Sequence, residues 1–415
     1  MAKIIIEGQN ELSGTINVGG AKNSAVALIP AAILSDDVAT IDNIPKISDI
    51  DALTEILEYL GAKVNKKDST ITIDSSSIIN KEIPENISAK LRASYYFMSA
   101  LLGKYKHVEM YFPGGCKIGA RPIDQTLKAF RALGATIKEN ENKYIIDAKE
   151  LKGAKIYLDM PSVGATINTI LASCRAKGTT ILRNAAKEPE IVNVVTFLNQ
   201  MGAKITGAGT SEIKIIGVTK LNKGFTEVIP DRIEAGTYVI LGALIGNNLK
   251  INNIIPDHIE SLLSKLTEMG IKMQIDYNSV TLSKIEKLNP IKIQTLGYPG
   301  FPTDLQQPLT TLLTQCEGTS FLTETIYENR FQNVEYLNKL GANITINNKT
   351  IEIKGPSKLK GCEVVATDLR AGACLVLAAL IAQGQTTILE VEHILRGYEN
   401  IVQKLSNVGA KITLE

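Results

Sequence analysis

The pattern of apolar and polar positions repeats six times along the chain. Each repeat has an amphipathic helical segment that ends at a glycine, and alternating positions typical of two short strands follow it. Glycine often ends a helix because it adopts the left-handed backbone conformation without strain. The six glycines, spaced by 73, 68, 68, 71 and 68 residues, are Gly61, Gly134, Gly202, Gly270, Gly341 and Gly409. This period is too long for a solenoid and indicates six supersecondary units.

Each unit also contains a second helical segment that is apolar on nearly every face, which predicts a helix in a domain interior. These segments are 25–34, 94–102, 165–174, 235–244, 308–314 and 371–382. Six units divide most simply into two α/β domains of three, each with buried central helices and sheets outside them. We expect one domain at 21–228 and a second formed by 1–20 with 229–415. A cleft between two such domains is the usual ligand site.

The composition favours a cytoplasmic globular protein. The 415 residues are 44% hydrophobic, and 45 basic against 43 acidic side chains give a net charge of +2. Because no long run of one sign occurs, nucleic-acid and membrane-surface roles are not favoured. The apolar stretches are about half the ~20 residues that a bilayer crossing needs, and the N-terminus lacks the features of a secretory signal. The odd count of five cysteines, without C-x-x-C spacing, predicts free thiols and no zinc site.

Charged residues stand where several of the buried helices begin. Lys22 and Asn23 precede the first, Arg92 the second, Asp304 the fifth, and Asp368 with Arg370 the sixth. Helix N-termini carry unpaired N–H groups and the positive end of the helix dipole, so cations there favour an anionic substrate. For the acidic residues, helix capping is an alternative, and one residue can do both.

A cysteine lies in a glycine- and proline-rich segment at 113–122. This composition predicts an irregular loop, and Lys117 and Arg121 beside Cys116 would favour a reactive thiol. The other four cysteines, in or near apolar helices or at strand starts, are expected to be small core residues. None of the three histidines has triad-like spacing, so carboxylate and thiol are the expected acid and base.

Seven blocks of sequence together resemble a known family. They are GGAKNS at 19–24, RAS at 92–94, PGGCKIGARPID at 113–124, FPTD at 301–304, ENRF at 328–331, TDLRA at 367–371 and RGY at 396–398. In this order and spacing they are similar to the UDP-N-acetylglucosamine 1-carboxyvinyltransferases of the EPSP synthase superfamily. The likeness runs from residue 3 to 412.

The resemblance implies two inside-out α/β barrel domains, each of three repeats. It also implies transfer of the enolpyruvyl group of phosphoenolpyruvate to the 3-hydroxyl of UDP-N-acetylglucosamine, with release of phosphate through a tetrahedral ketal. This reaction is the first committed step of peptidoglycan synthesis. The resemblance implies no metal, no organic cofactor and no obligate protein partner.

Residue roles are carried over from the family position by position. Cys116 would protonate the methylene carbon and also form a covalent adduct with the donor, and Asp304 would take the proton of the sugar hydroxyl. Lys22 and Arg396 would join them at the chemistry, and Lys22, Arg121 and Arg396 would bind the donor's phosphate and carboxylate. The remaining substrate contacts would be Asn23, Arg92, Arg121, Pro122, Ile123, Asp124, Gln125, Ser162, Val163, Gly164, Ile326, Arg330, Asp368 and Arg370.

Two positions have further consequences for the resemblance. Thr126 stands where many relatives have histidine, which puts any contact of that ring in doubt. A cysteine rather than an aspartate at position 116 predicts alkylation by fosfomycin.

Three other functions compete with this one. The cysteine loop distinguishes the chain from 3-phosphoshikimate 1-carboxyvinyltransferase, which shares the architecture and donor. A regulatory paralogue that only binds the sugar nucleotide and an RNA-end-processing enzyme are further alternatives.

Overall fold

The computed structural model describes residues 2–114 and 123–415. Its strands are β1 Ile4–Glu7, β2 Leu12–Asn17, β3 Val38–Asp42, β4 Lys63–Lys67, β5 Thr70–Asp74, β6 His107–Tyr111, β7 Thr136–Asn140, β8 Lys143–Asp147, β9 Lys155–Tyr157, β10 Thr179–Arg183, β11 Lys204–Thr206, β12 Glu212–Ile216, β13 Gly224–Glu227, β14 Gly246–Asn252, β15 Met273–Asp276, β16 Ser279–Leu282, β17 Lys292–Gln294, β18 Gly318–Thr323, β19 Asn343–Asn347, β20 Thr350–Gly355, β21 Glu363–Val365, β22 Gln385–Leu389 and β23 Lys411–Leu414.

The α-helices alternate with these strands, so the fold is mixed α/β. They are α1 Lys22–Ala31, α2 Ser48–Tyr59, α3 Glu85–Ser88, α4 Tyr96–Tyr105, α5 Asp124–Ala132, α6 Val163–Ser173, α7 Pro189–Gln200, α8 Arg232–Ile245, α9 Glu260–Glu268, α10 Gln306–Leu313, α11 Asn333–Lys339, α12 Leu369–Ile381, α13 Glu392–Leu395 and α14 Ile401–Ser406. Single 3-10 turns lie at Ala32–Leu34, Arg92–Tyr95, Pro256–Ile259 and Thr303–Leu305.

The repeated glycines end helices as the sequence predicts. All six have φ between 94° and 107°, in the left-handed region. After Gly61, for example, the amide of Ala62 donates to the carbonyl of Leu57, which satisfies a free carbonyl at the end of α2. The glycine period is therefore the backbone signature of the helix-to-strand turn.

Contacts along the chain define two compact units. The first unit comprises the described residues 20–114 and 123–229, and the second comprises 2–19 and 230–415. The first unit contains the sheets β13-β3-β5-β4, β6-β8-β7 and β11-β12-β10-β9. Its helices α1, α4 and α6 are buried, with α4 packed against both α1 and α6.

The second unit contains the sheets β15-β16-β14-β2, β17-β18-β20-β19 and β21-β22-β1-β23. Its helices α8, α10 and α12 pack against one another within one apolar core. The last glycine is followed by β23, whose antiparallel partner is not a hairpin neighbour but β1, paired as Ile4 with Leu414. The N-terminal strand therefore supplies the strand that the sixth repeat lacks.

All six predicted buried helices are confirmed, because α1, α4, α6, α8, α10 and α12 fall on the apolar segments. In α12, eleven of the thirteen residues are buried, as its uniform apolarity requires. Across the described ranges, no helix is both long and apolar enough to cross a membrane.

The cysteine expectation holds for three of the four residues outside the Cys116 loop. Cys174, Cys316 and Cys374 are buried, whereas Cys362, which lies just before the short strand β21, is only half-buried. All four are free thiols.

Candidate active site

In the second unit, Asp304 lies in the 3-10 turn Thr303–Leu305 that leads directly into the buried helix α10. We call this segment the second lead-in turn. Arg330 Nη2 donates to Asp304 Oδ1 at 2.7 Å, and Arg370 Nη2 donates to Oδ2 at 3.0 Å. The two arginine side chains are 4% and 5% exposed, while that of Asp304 is 25% exposed. Two nearly buried cations thus fix a carboxylate that solvent still reaches.

These neighbours set the charge of Asp304. Burial raises the pKa of a carboxyl group, but Arg370 and Arg330 oppose burial and hold the pKa of Asp304 well below its usual range. Asp304 is therefore a carboxylate at neutral pH. In the described structure no side-chain hydrogen bond caps the second lead-in turn or α10, so Asp304 does not serve as a helix cap.

Asp368, by contrast, is a helix cap. Its Oδ1 accepts from the backbone amides of Arg370 at 2.7 Å and Ala371 at 3.0 Å, which satisfies two free donors at the start of α12. Gln307 Nε2 in α10 donates weakly to Asp368 Oδ2 at 3.4 Å. The starts of α10 and α12 are thereby joined, and this brings Asp304 and Arg370 together as the sequence pattern suggests.

Arg396 lies directly after α13 and is half-buried. The following residue, Gly397, packs so closely on Leu369 that an added Cβ would lie 2.5 Å from Leu369 Cδ2. The Arg396 segment therefore packs closely against the start of α12.

Ile326 lies in the turn after β18, and its side chain is 42% exposed. An exposed large aliphatic side chain on a turn is free to contact a ligand. The neighbouring Tyr327 ring lies 5.1 Å from the guanidinium carbon of Arg330, within the range of a cation–π interaction.

In the first unit, Lys22 is the first residue of α1 and is paired with Asp49 of α2. Lys22 Nζ lies 2.8 Å from Asp49 Oδ2, and the side chains are 14% and 8% exposed. Asn23 follows on the same turn and is half-buried. Ser24 is buried and donates to Asn193 Oδ1, which ties the start of α1 to α7. The Lys22 ammonium is therefore held in place at a helix N-terminus.

Arg92 opens the 3-10 turn Arg92–Tyr95, which leads into the buried helix α4 and is here called the first lead-in turn. Its guanidinium carbon lies 5.8 Å from the centre of the Tyr95 ring. The hydroxyl of Tyr95 contacts Gly164, where an added Cβ would lie only 1.7 Å away. Arg92 and the start of α6 are thus brought together.

The start of α6 carries the other predicted residues of this region. Ser162 is its N-cap and accepts from the amide of Ala165 at 3.3 Å. Val163 is partly buried against the core of the first unit. The serine thus has a capping role of its own.

The start of α5 lies beside the loop before α6. Gln125 Nε2 donates to Asp159 Oδ2 at 3.0 Å and to Asp124 Oδ2 at 2.8 Å, and Gln125 Oε1 accepts from the amide of Asp159 at 2.9 Å. The Gln125 amide is therefore engaged within the protein. Ile123 is partly buried, and Thr126 is 2% exposed.

Cys116, Arg121 and Pro122 were also predicted from the sequence, and they lie outside the described residues. Within 2–114 and 123–415, no group of three or more His, Cys, Asp or Glu side chains is arranged to hold a metal ion.

Three residues that sequence reasoning missed take part in these clusters: Asp49, Tyr95 and Thr303. Thr303 accepts from Arg330 Nη1 at 2.9 Å and belongs to the FPTD motif, which was an available signal. Asp49 and Tyr95 gave no such signal, because their roles depend on partners in other segments.

Comparison with known proteins places the chain in a family. The family model of EPSP synthase (3-phosphoshikimate 1-carboxyvinyltransferase) matches residues 6–405. The chain therefore belongs to the EPSP synthase family, which confirms the resemblance seen in the motifs.

Its relatives include proteins named for one particular activity. The chain is 51% identical over 411 residues to UDP-N-acetylglucosamine 1-carboxyvinyltransferase 2 of Listeria monocytogenes, covering 99% of this chain and 97% of that protein. It is 50% identical over 415 residues to the protein of the same name from Geobacillus kaustophilus, covering 100% and 97%.

Two solved structures share the fold. The enolpyruvyl transferase NikO from Streptomyces tendae superposes with a TM-score of 0.91 at 28% identity, covering 100% of this chain and 99% of the other. EPSP synthase from Acinetobacter baumannii superposes with a TM-score of 0.76 at 18% identity and the same coverage. The second likeness concerns the fold alone.

Proposed function

We propose that the chain transfers the enolpyruvyl group of phosphoenolpyruvate to the 3-hydroxyl of UDP-N-acetylglucosamine and releases phosphate. The observation that carries the proposal is the identity of about half of all positions, over nearly the full length, to proteins named for this activity. The ionised Asp304 between two fixed arginines supports it, because the reaction needs both a proton acceptor and cations for an anionic donor.

The proposed reaction is an addition followed by an elimination. Cys116 delivers a proton to the methylene carbon of the donor, which leaves an electron-poor centre at the adjacent carbon. The sugar oxygen attacks that carbon as Asp304 takes the hydroxyl proton, and a tetrahedral ketal forms. Loss of a proton from the new methyl group and departure of phosphate then restore the double bond.

Asp304 suits this role only when attack and proton transfer occur together. Its two arginines make it a weak base in the free protein, since they stabilise the carboxylate. An electron-poor carbon makes the hydroxyl more acidic as the new bond forms, so a weak base suffices. If one of these arginines paired with the donor's negative charge instead of Asp304, the pKa of Asp304 would also rise.

Cations would bind the donor's phosphate and carboxylate. Lys22, Arg121 and Arg396 are proposed for this binding, with Arg330 and Arg370 close to Asp304. The Lys22 ammonium, fixed by Asp49, meets the requirement for a preorganised cation. No metal or organic cofactor is needed.

The sugar nucleotide is the second proposed substrate. Its proposed contacts are Asn23, Arg92, Arg121, Pro122, Ile123, Asp124, Gln125, Ser162, Val163, Gly164, Asp304, Ile326 and Asp368. Of these residues, Arg92 and Gly164 both lie at Tyr95, and Gln125 bonds to Asp124 and to Asp159.

The proposal includes a finer fold and a cellular setting. Each unit is proposed to be an inside-out α/β barrel of three repeats, with domain limits at 21–228 and at 1–20 with 229–415. We further propose action in the cytoplasm, in the first committed step of peptidoglycan synthesis, and alkylation of Cys116 by fosfomycin. Full activity after fosfomycin treatment with the sugar nucleotide present would contradict the last point.

Phosphate release from phosphoenolpyruvate tests the proposal directly. Wild type, Cys116→Ser and Asp304→Ala are each assayed with UDP-N-acetylglucosamine and with shikimate 3-phosphate as acceptor. We expect release by wild type with the sugar nucleotide alone and strong loss in both variants. Release with shikimate 3-phosphate would indicate the other family activity, and tight sugar-nucleotide binding without release would indicate a regulatory paralogue.

A further inference from the structure

A buried carboxylate that the proposed reaction does not use lies behind the Asp304 site. Glu324 is 1% exposed and follows β18, and Thr295, which is 0% exposed, follows the parallel neighbouring strand β17. Because neighbouring parallel strands end at the same edge of a sheet, the side chains of Glu324 and Thr295 lie next to each other. Burying a carboxylate costs free energy unless its oxygens accept hydrogen bonds. The donors to Glu324 therefore identify the segments that it holds in place.

One oxygen of Glu324 organises the turn that carries Ile326. Glu324 Oε1 accepts from the amides of Ile326 at 2.8 Å and Tyr327 at 3.2 Å, and from the hydroxyl of Thr295 at 2.9 Å. These three donors fix the path of the turn. They also fix the Tyr327 ring against Arg330.

The other oxygen of Glu324 acts on the second lead-in turn. Thr303 Oγ1 donates to Glu324 Oε2 at 2.7 Å and accepts from Arg330 Nη1 at 2.9 Å. Arg330 in turn donates to Asp304 through Nη2. A continuous chain of hydrogen bonds therefore runs from Glu324 through Thr303 and Arg330 to Asp304.

We propose that Glu324 is a positioning residue for the proposed transfer reaction: one oxygen sets the Ile326 turn that faces the sugar nucleotide, and the other holds Arg330 against Asp304 through Thr303. The inference rests on the proposed function. It assigns to Glu324 two separable effects, one on substrate binding and one on turnover.

The variant Glu324→Gln separates them. Three donors converge on Oε1, so the amide oxygen takes that place and the amide nitrogen faces Thr303. The Thr303 hydroxyl then loses its acceptor, and its hold on Arg330 weakens, while the Ile326 turn keeps its bonds. We expect kcat to fall about tenfold, the usual scale for a hydrogen bond to a charged group, and KM for UDP-N-acetylglucosamine to stay within about twofold.

Two threonine variants test the hydrogen bonds of the two Glu324 oxygens separately. Thr303→Val removes the hydroxyl that links Oε2 to Arg330 and should lower kcat about as much as Glu324→Gln. Thr295→Val removes a donor to Oε1 and should raise KM for UDP-N-acetylglucosamine about fivefold with kcat retained. Thr323→Val is the matched control on β18, because its hydroxyl bonds only to Thr350 among the contacts described, and neither constant should change.

Wild type is assayed first, so that the two proposals fail in different ways. An inactive wild type would contradict the proposed function. An active wild type with kcat unchanged in both Glu324→Gln and Thr303→Val would overturn the positioning role. Lower melting temperatures in all the variants, with kcat and KM unchanged well below those temperatures, would show that Glu324 only stabilises the fold and would also overturn it.

Discussion

The two units lead into a buried helix in the same way but place different chemistry there. The first lead-in turn, Arg92–Tyr95, precedes α4, and the second, Thr303–Leu305, precedes α10. Arg92 lies over an aromatic ring of its own turn, whereas Asp304 is held by arginines from two other segments. The lead-in turn thus determines where each charged side chain lies. For Asp304, arginines from elsewhere in the unit also determine its ionisation and orientation.

The largest effect is expected from Asp304→Asn, which removes the anion of the second lead-in turn. Two nearly buried arginines would then face a neutral amide. We expect turnover to fall at least about a hundredfold, because the proton acceptor is lost, and the free energy of unfolding to fall by about 1–3 kcal/mol. Phosphate release and urea unfolding measure the two effects.

Asp257→Asn is the control for this variant. Asp257 is an exposed residue in another 3-10 turn of the same unit, Pro256–Ile259. Equal losses in the two variants would show that the arginine pairing adds nothing.

A crowded contact in the first lead-in turn should have the next largest effect. Gly164→Ala would place a methyl group 1.7 Å from the present position of the Tyr95 hydroxyl, so Tyr95 and with it Arg92 must move. We expect a loss of about 1–3 kcal/mol in unfolding free energy and an increase of about tenfold in KM for the sugar nucleotide. The double variant with Tyr95→Phe, which removes the crowded oxygen, should recover part of both.

Gly297→Ala is the control for Gly164→Ala. No atom lies within 4 Å of an added Cβ at Gly297. A similar loss in this control would mean that the Tyr95 contact is not the cause.

The pH dependence of the free energy of unfolding tests the lowered pKa of Asp304 in the second lead-in turn. The pKa of Asp304 is lower in the folded than in the unfolded protein. Its contribution to the free energy of unfolding is therefore complete above the unfolded-state pKa near 4 and is lost progressively as the pH falls below that value. The stability difference between wild type and Asp304→Asn should therefore be constant from pH 8 to pH 5 and shrink by about 1 kcal/mol near pH 3. Urea unfolding at several pH values measures it, and a difference that shrinks already between pH 7 and 5 would contradict the lowered pKa.

Arg92→Lys should have the smallest effect. Lysine keeps the charge but not the planar group that stacks on Tyr95, and exposed cation–π contacts are worth about 0.5–1 kcal/mol. We expect KM for the sugar nucleotide to rise about two- to threefold at constant kcat. Arg183→Lys, at an exposed pair with Glu212, serves as the control; an equal change there would assign the effect to arginine content in general.

The sequence predicted the repeats and the buried helices because both depend on local physics. A left-handed glycine after a helix and a segment apolar on every side can be recognised without knowing any contact. The polar positions at helix starts were recognisable for the same reason, and Asp304 and Arg370 do lie together.

What the sequence could not predict depends on pairing between distant segments. The capping and ion-pair roles of Asp304 and Asp368 looked alike in sequence, and only their partners separate them. Glu324 directly follows the alternating strand β18, and its burial depends on donors on the neighbouring strand and turn, which the sequence does not reveal. The strand partners of β1 were equally hidden, because its alternation fits any sheet.

The pairing of β1 has a consequence for synthesis on the ribosome. Ile4 precedes the first unit in the chain but pairs with Ile388 and Leu414, which are made after that unit. The first unit, drawn from one stretch of chain between residues 20 and 229, can fold while the rest is still being made. The second unit must wait for β22 and β23, so the apolar strand β1 remains without its neighbours until they are made and is a natural target for chaperones.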